Sequence, residues 1–99
     1  MAKGYIVTVY HSISDPNAVA EYAKLAGPAL QAAGGKFLIR GNAAEAYEKG
    51  LKQRVVVVEF DSLEKAVAAR NSAGYEAALK VFANAAVRDM RIVEGVPSA

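Results

Sequence analysis

The feature that most constrains the fold is a pair of short apolar segments that each carry a charge near their end. Residues 36–40 form the first segment, and residues 54–60, with four consecutive valines, form the second. Such segments, rich in β-branched residues, predict strands rather than helices. Residues 5–11 and 88–94 predict two further strands, because β-branched and aromatic residues dominate the first and apolar residues alternate in the second.

In the stretches between these strands, apolar residues recur at the spacing of a helix. Asp15-Pro16 predicts a helix start, and the helix is expected to run to about Ala33 with a kink at Gly27-Pro28 before Gly34-Gly35 ends it. Asp61 or Ser62 can cap a second helix.

A cluster of helix-breaking residues, 71–74, interrupts that second helical stretch. Ser72 can restart the helix, which is predicted to run from about residue 75 to residue 86. Residues 41–53 lack strong periodicity and predict a long hairpin connection that is mobile or partly extended.

The predicted order of elements is strand, helix, strand, strand, helix, strand. This order is typical of a ferredoxin-like α+β domain, in which two helices pack on one face of a four-stranded antiparallel sheet. The first and third strands are apolar on both faces, so the second face would be a large apolar patch if left in water. We therefore expect a homodimer joined sheet to sheet.

The length and composition of the chain limit the domains, partners and cofactors that we expect. The 99 residues predict one domain spanning 1–99, and the net charge is only +2, with the basic residues scattered singly. Neither nucleic acid nor a membrane is an expected partner. The chain has no cysteine and one histidine, so we expect no metal site and no cofactor, and a cytoplasmic location.

Five side chains are candidates for chemistry or binding. His11 ends the first strand and, with Glu59, is a weak candidate for proton transfer, although an exposed strand-end histidine is the more ordinary interpretation. Arg40 and Glu59 each lie at the end of an apolar strand, where an unpaired charge is costly to bury. Both could point inward, with Arg40 holding a carboxylate or phosphate, or they could form a structural ion pair.

Ser72 and Tyr75 lie beside the predicted helix break and could add hydroxyl donors at the mouth of a cleft. The alternatives are an ordinary helix cap for Ser72 and an ordinary packing role for Tyr75.

Several segments together resemble domain-of-unknown-function family 1330, a member of the dimeric α/β-barrel superfamily. They are Lys3-Gly4-Tyr5, Asp15-Pro16 with Tyr22, residues 34–41, residues 54–60, Asn71-Ser72 with Tyr75, and residues 93–96. The resemblance covers nearly the whole chain. It implies a ferredoxin-like protomer, a homodimer whose sheets enclose a barrel-like interior, and a cleft between helices and sheet, but no established reaction.

Two hypotheses about function follow. The first is a homodimer that binds a small anionic or aromatic molecule without catalysis. The second is an enzyme that needs no cofactor and resembles the antibiotic-biosynthesis monooxygenases or related isomerases, which is an analogy of fold. A closed cleft lined by paired charges favours the first, whereas an open pocket holding an unpaired His11 or Glu59 favours the second.

Overall fold

The β-branched segments form one sheet. In a computed structural model, residues 2–97 are described and form a four-stranded antiparallel sheet and three helices. The strands are β1 (Gly4–Ile13), β2 (Lys36–Asn42), β3 (Arg54–Phe60) and β4 (Ala86–Glu94). The helices are α1 (Pro16–Ala32), α2 (Leu63–Arg70) and α3 (Ala73–Phe82). The strand order β2-β3-β1-β4 confirms the predicted ferredoxin-like topology, with α2 and α3 in the place of its second helix.

Local signals set the ends of α1 as predicted. The Asp15 side chain accepts a hydrogen bond from the backbone N–H of Ala18 at 3.1 Å and caps the first turn. The helix continues through Pro28 and ends at Ala32. Gly34 follows with φ of +96°, a conformation that glycine adopts without steric cost.

Two serines separate the helices that follow β3. Ser62 caps α2 by accepting from the backbone N–H of Lys65 at 3.2 Å, and Ser72 caps α3 by accepting from that of Tyr75 at 3.3 Å. Both serines thus satisfy amides that have no partner within their helix.

The prediction that the last helix reaches residue 86 is wrong. The helix α3 ends at Phe82, and Ala86 is the first residue of β4, where it pairs with Ile13. The cause is the length of β1, which continues two residues beyond the predicted strand and draws residue 86 into the sheet.

A backbone hydrogen bond closes the base of the connection between β2 and β3. The backbone N–H of Ala43 donates to the carbonyl of Gln53 at 3.0 Å, which extends the hairpin by one bond. Between these two residues the chain forms neither helix nor strand.

One face of the sheet, the covered face, packs against the helices and contains the core. Its buried strand residues are Ile6, Thr8, Tyr10, Val58 and Phe60. The helices contribute buried residues to the same cluster: Val19, Tyr22, Ala26, Leu30, Ala66, Ala69, Tyr75, Ala78 and Phe82. Small residues on the helices let them approach the sheet closely, as in other well-packed interiors.

Two irregularities in pairing change which residues reach the covered face. The register of β2 on β3 shifts between Phe37 and Ile39, and the register of β1 on β4 shifts between Tyr10 and Ser12. A bulge of this kind reverses the alternation of side chains beyond it. As a result Phe37 and Arg40 lie opposite Val58 and Val56, both on the covered face.

The second face of the sheet, the open face, has the apolar centre that the sequence of β1 and β3 predicts, with Glu59 and Arg91 beside it. In the centre of the sheet, Val57 pairs with Val7 and with Ile39. Ile39 is 51% exposed and Val93 is 49% exposed. The protomer therefore carries an uncovered apolar surface on this side.

Candidate functional site

A cavity of about 40 Å³ lies between α1 and the covered face of the sheet. Its polar lining consists of three arginines, Arg40, Arg54 and Arg88, here called the cavity arginines, together with Thr8, Tyr10, Tyr22 and Tyr75. The remaining lining is apolar, and no aspartate or glutamate belongs to it among the described residues. Most of the cavity wall is therefore apolar, and its polar groups are hydroxyls and positively charged guanidinium groups.

Strand register gathers the polar groups at one end of the cavity. Tyr10 pairs with Arg88 on β4, and Arg54 lies one residue before Val55, which pairs with Val9. The three side chains thus form a row across the sheet. In the next row, Arg40 lies opposite Val56, which in turn pairs with Thr8.

The other end of the cavity is apolar. Phe37 pairs with Val58, and Val58 pairs with Ile6, which forms a third row across the covered face. Leu30 of α1 covers this row. The side chains that line the cavity therefore change from charged to apolar within a few residues along the strands.

Arg88 is enclosed by aromatic rings. Its Nη1 atom donates hydrogen bonds to the hydroxyl oxygens of Tyr10 and Tyr22, both at 3.1 Å, and its guanidinium carbon lies 3.9 Å from the centre of the Phe82 ring. Burial is the largest single influence on the pKa of Arg88 and lowers it, but the neighbouring Tyr22, Tyr75 and Tyr10 together outweigh burial, so the pKa of Arg88 is raised and the group stays charged.

Tyr10 and Tyr22 remain protonated at neutral pH. The hydroxyls of Tyr22 and Tyr75 hydrogen-bond to each other. Burial is the main cause that raises the pKa of Tyr22 and also that of Tyr10. These hydroxyls can therefore donate hydrogen bonds to a ligand, but they are poor bases.

The arginines of the chain divide into two groups by their partners. Arg70 lies 3.8 Å from Glu76, and Arg91 lies 3.3 Å from Asp89. None of the three cavity arginines forms an ion pair with any residue in 2–97. The arginines outside the cavity are thus neutralised by carboxylates, and those inside it are not.

The structure separates Arg40 from Glu59, which the sequence suggests as a pair. Arg40 lines the cavity, with its guanidinium carbon 4.4 Å from the centre of the Phe37 ring. Glu59 lies on the open face and accepts a hydrogen bond from the Tyr5 hydroxyl at 2.9 Å. The two side chains are on opposite faces of the sheet, so they form neither a joint site nor an ion pair.

The other sequence candidates fall inside and outside the cavity. Tyr75 lines it. His11 lies outside it, with Nε2 3.0 Å from Oδ2 of Asp89, and its hydrogen bond is the main cause that lowers the pKa of Asp89. Ser72 also lies outside: its hydroxyl caps α3 and donates to the carbonyl of Ala69 at 2.8 Å.

Sequence reasoning missed Arg54, Arg88, Thr8 and Tyr10 as site residues, although a signal was present. Alternation along each strand assigns Arg54 to the same face as the buried Val58 and assigns Arg88 to the face of Met90. Counting these charges on the covered face would have identified both arginines.

Residues 2–97 contain neither a cluster of metal-ligating side chains nor a membrane-spanning helix. No three histidine, aspartate or glutamate side chains there come together as metal ligands. Within the same residues, no helix has the length and apolar character needed to cross a membrane.

The sequence from Lys3 to Val96 matches a known family model throughout. The model is described as Domain of unknown function (DUF1330), and it matches residues 3–96. The chain belongs to this family. No curated protein is significantly similar to this DUF1330 chain in sequence.

Solved structures share the fold of the DUF1330 chain at low sequence identity. A protein of unknown function from Rhodopseudomonas palustris, RPA0582, is 21% identical with a TM-score of 0.70, over 99% of this chain and 84% of its own. A dimeric ferredoxin-like protein of unknown function from Thermobifida fusca is 16% identical with a TM-score of 0.56, over 94% of this chain and 89% of its own.

A third similar structure carries a description of activity. This protein from Caulobacter crescentus is provisionally described as an antibiotic biosynthesis monooxygenase, and it is 14% identical with a TM-score of 0.60. The match covers 97% of this chain and 91% of that one. At such identities the likeness concerns the fold alone.

Proposed function

We propose that the protein is a cytoplasmic homodimer that binds a small molecule, without catalysis, in the cavity between α1 and the sheet. The observation that carries the binding function is the unused hydrogen-bonding capacity of the cavity wall. Arg40 and Arg54 line the cavity, and neither forms an ion pair or a side-chain hydrogen bond with any residue in 2–97. Guanidinium groups without a protein partner on a cavity wall offer donors to a ligand or to water.

The types of residue in the cavity support binding over catalysis. Its polar lining consists of threonine, tyrosine and arginine, which donate hydrogen bonds but do not exchange protons readily near neutral pH. His11 and Glu59, the two weak candidates for proton transfer, contact Asp89 and Tyr5 outside the cavity. The alternative of an enzyme that needs no cofactor therefore rests on likeness of fold.

The homodimer is supported by the open face. Val7, Val57 and Ile39 form an apolar row there, and burying such a row against a second copy would remove apolar area from water. The similar Thermobifida fusca protein is described as dimeric. The absence of cysteine from the chain fits the reducing conditions of the cytoplasm.

Native mass spectrometry of the protein purified from its own source tests both parts together. Gentle desolvation reports the mass of the assembly and any small molecule that it retains. We expect a dimer that carries a discrete additional mass. A dimer that stays bare under every condition of gentle desolvation contradicts the binding function, and a stable monomer contradicts the homodimer.

A pair of variants locates the dimer interface. Val57→Lys puts a charge at the centre of the open face and is expected to yield monomers in analytical ultracentrifugation, because an unpaired charge is costly to bury in an apolar interface. Val67→Lys makes the same change at an exposed valine of α2 and should leave the dimer intact. If Val57→Lys stays dimeric, the interface lies elsewhere.

A further inference from the structure

The three cavity arginines bring positive charge into a site that holds no negative charge. Arg88 is partly buried, and none of the three has a carboxylate partner in residues 2–97. Cations in low-dielectric surroundings are costly unless an anion or several acceptors compensate them. Arg88 receives compensation from two tyrosine oxygens and the Phe82 ring. Arg54 is half-buried and Arg40 is exposed beside the Phe37 ring, and neither has a hydrogen-bonded acceptor in residues 2–97.

Arg40 and Arg54 are free to contact a ligand. Neither makes a side-chain hydrogen bond to any residue in 2–97, in contrast to Arg88. They come from the neighbouring strands β2 and β3, and both line the cavity. A guanidinium group presents a planar set of donors that matches the two oxygens of a carboxylate.

Two buried hydroxyls add donors beside these arginines. Tyr10 is 1% exposed, and its oxygen already accepts a hydrogen bond from Arg88, so its own O–H hydrogen remains available to donate. Thr8 is two residues away on the same face of β1, and it also lines the cavity. The polar end of the cavity thus offers donors from two arginines and two hydroxyls.

The apolar end limits what else the ligand contains. Phe37, Val58 and Ile6 line it, with Leu30 and Ala26 of α1 above them. A ligand that fills both ends has a charged head and a hydrocarbon remainder. The volume of about 40 Å³ keeps that remainder short unless the exposed Arg40 side chain moves outward.

We propose that the ligand is a small organic carboxylate, such as a short aliphatic acid. Its carboxylate oxygens accept hydrogen bonds from Arg40, Arg54 and the hydroxyls of Thr8 and Tyr10, and its hydrocarbon chain lies against Ile6 and Val58. This assignment rests on the proposed binding function and names its ligand class. Inorganic phosphate is the main competitor, but it would use the cationic end and leave the apolar end without contacts.

The test is a titration followed by NMR of the backbone amides, with three probes on the full chain. Butanoate combines a carboxylate with a short hydrocarbon, butanamide keeps the shape without the charge, and phosphate has the charge without the hydrocarbon. We expect butanoate to shift the amide signals around Thr8 and Arg54 in a saturable way. We expect both other probes to bind at least about tenfold more weakly, as the loss of a charge-assisted or an apolar contact implies.

Three variants test which arginines bind the carboxylate. Arg40→Gln and Arg54→Gln should each raise the butanoate dissociation constant about tenfold, because each removes one charged donor. Arg91→Gln removes an arginine that pairs with Asp89 outside the cavity, and it should leave the constant within about twofold. Because Arg40 and Arg54 make no side-chain hydrogen bond in residues 2–97, both variants are expected to fold, which the dispersion of the same NMR spectra checks.

Each contrary outcome has a distinct meaning. If butanamide binds at the cavity as well as butanoate does, the carboxylate class is overturned while binding in the cavity stands. If phosphate alone binds, the organic acid is overturned in favour of an inorganic anion. If none of the probes shifts the cavity signals, the inference is overturned, and the mass spectrometry of the native protein separately decides whether the cavity holds another molecule.

Discussion

The hydroxyl groups of Tyr22 and Tyr75 are hydrogen-bonded to each other inside the core, and their rings meet edge to face with centroids 5.9 Å apart. This contact joins α1 to α3 at the wall of the cavity. Arg88 donates to the Tyr22 oxygen and so links the pair to β4. One hydrogen-bond chain thus connects both helices to the sheet.

Removing either hydroxyl should destabilise the fold, and the two losses should be coupled. Tyr75→Phe is expected to lower the free energy of unfolding by about 1 kcal/mol, as for a neutral hydrogen bond, and Tyr22→Phe by about 2 kcal/mol because it also removes an acceptor from Arg88. Urea unfolding of both variants and of the double variant measures this. If the double variant loses the sum of the two within about 0.3 kcal/mol, the hydroxyls do not act as a pair.

Alkaline pH should destabilise the protein through Tyr22. Burial raises its pKa in the folded chain above the ordinary value of 10.0, so above that pH the unfolded chain releases a proton that the folded chain retains. The stabilisation is therefore complete below pH 10.0 and is lost as the pH rises further. Unfolding measured between neutral pH and strongly alkaline pH should show this decline, and Tyr22→Phe should make it less steep. An unchanged slope in the variant would assign the decline to other groups.

Of the glycines in the sheet, Gly4 should tolerate substitution least. A Cβ atom at this position would lie 2.5 Å from the carbonyl oxygen of Ser62 and 2.7 Å from the Cα of Leu63, both backbone atoms that cannot move aside alone. Gly4→Ala is expected to cost about 2 kcal/mol in thermal or urea unfolding, as overpacking does.

Gly41→Ala is the matched control for Gly4→Ala. Gly41 lies in β2, and a Cβ there would meet no atom within 4 Å. This change should be neutral or slightly stabilising, by up to about 0.5 kcal/mol, because it reduces the freedom of the unfolded chain. Equal effects at the two positions would contradict the close approach of β1 to the start of α2.

The hydrogen bond from His11 should control the titration of Asp89. It is the main cause that lowers the pKa of Asp89 below the ordinary value of 3.8, and Arg91 contributes further. The associated stabilisation is present above pH 3.8 and is lost as the pH falls through the lowered value. NMR titration of the Asp89 carboxyl should show a midpoint below 3.8 in the wild type and a midpoint nearer 3.8 in His11→Ala. Identical midpoints would show that Arg91 acts alone.

Patterns within single elements predicted most of the fold. The helix cap at Asp15, the limits of β3 and the restart at Ser72 each depend on a few neighbouring residues, and the structure agrees with all three. The end of α3 was missed because it depends on how far β1 and β4 pair, up to Ile13 and Ala86, which is a contact between distant parts of the chain.

The candidate site was harder to predict because a bulge reverses one strand. With regular alternation from Lys36, which pairs with Glu59, Arg40 would share the open face with Glu59. The shift between Phe37 and Ile39 places Arg40 on the covered face instead. Nothing in the local sequence of β2 marks this bulge, so the expected pairing of Arg40 with Glu59 could not be corrected from the sequence.

The small residues of α1 have a consequence for how selectivity could change. Ala23, Ala26 and Gly27 line the cavity from the helix, whereas its cationic groups all come from strands. A methyl group added at Gly27 would stand 3.9 Å from the Nη1 atom of Arg40, in ordinary contact. The size of the cavity is thus set in part by α1 and its positive charge by the strands, so a single substitution on the helix can alter which ligands fit while the charge of the cavity stays the same.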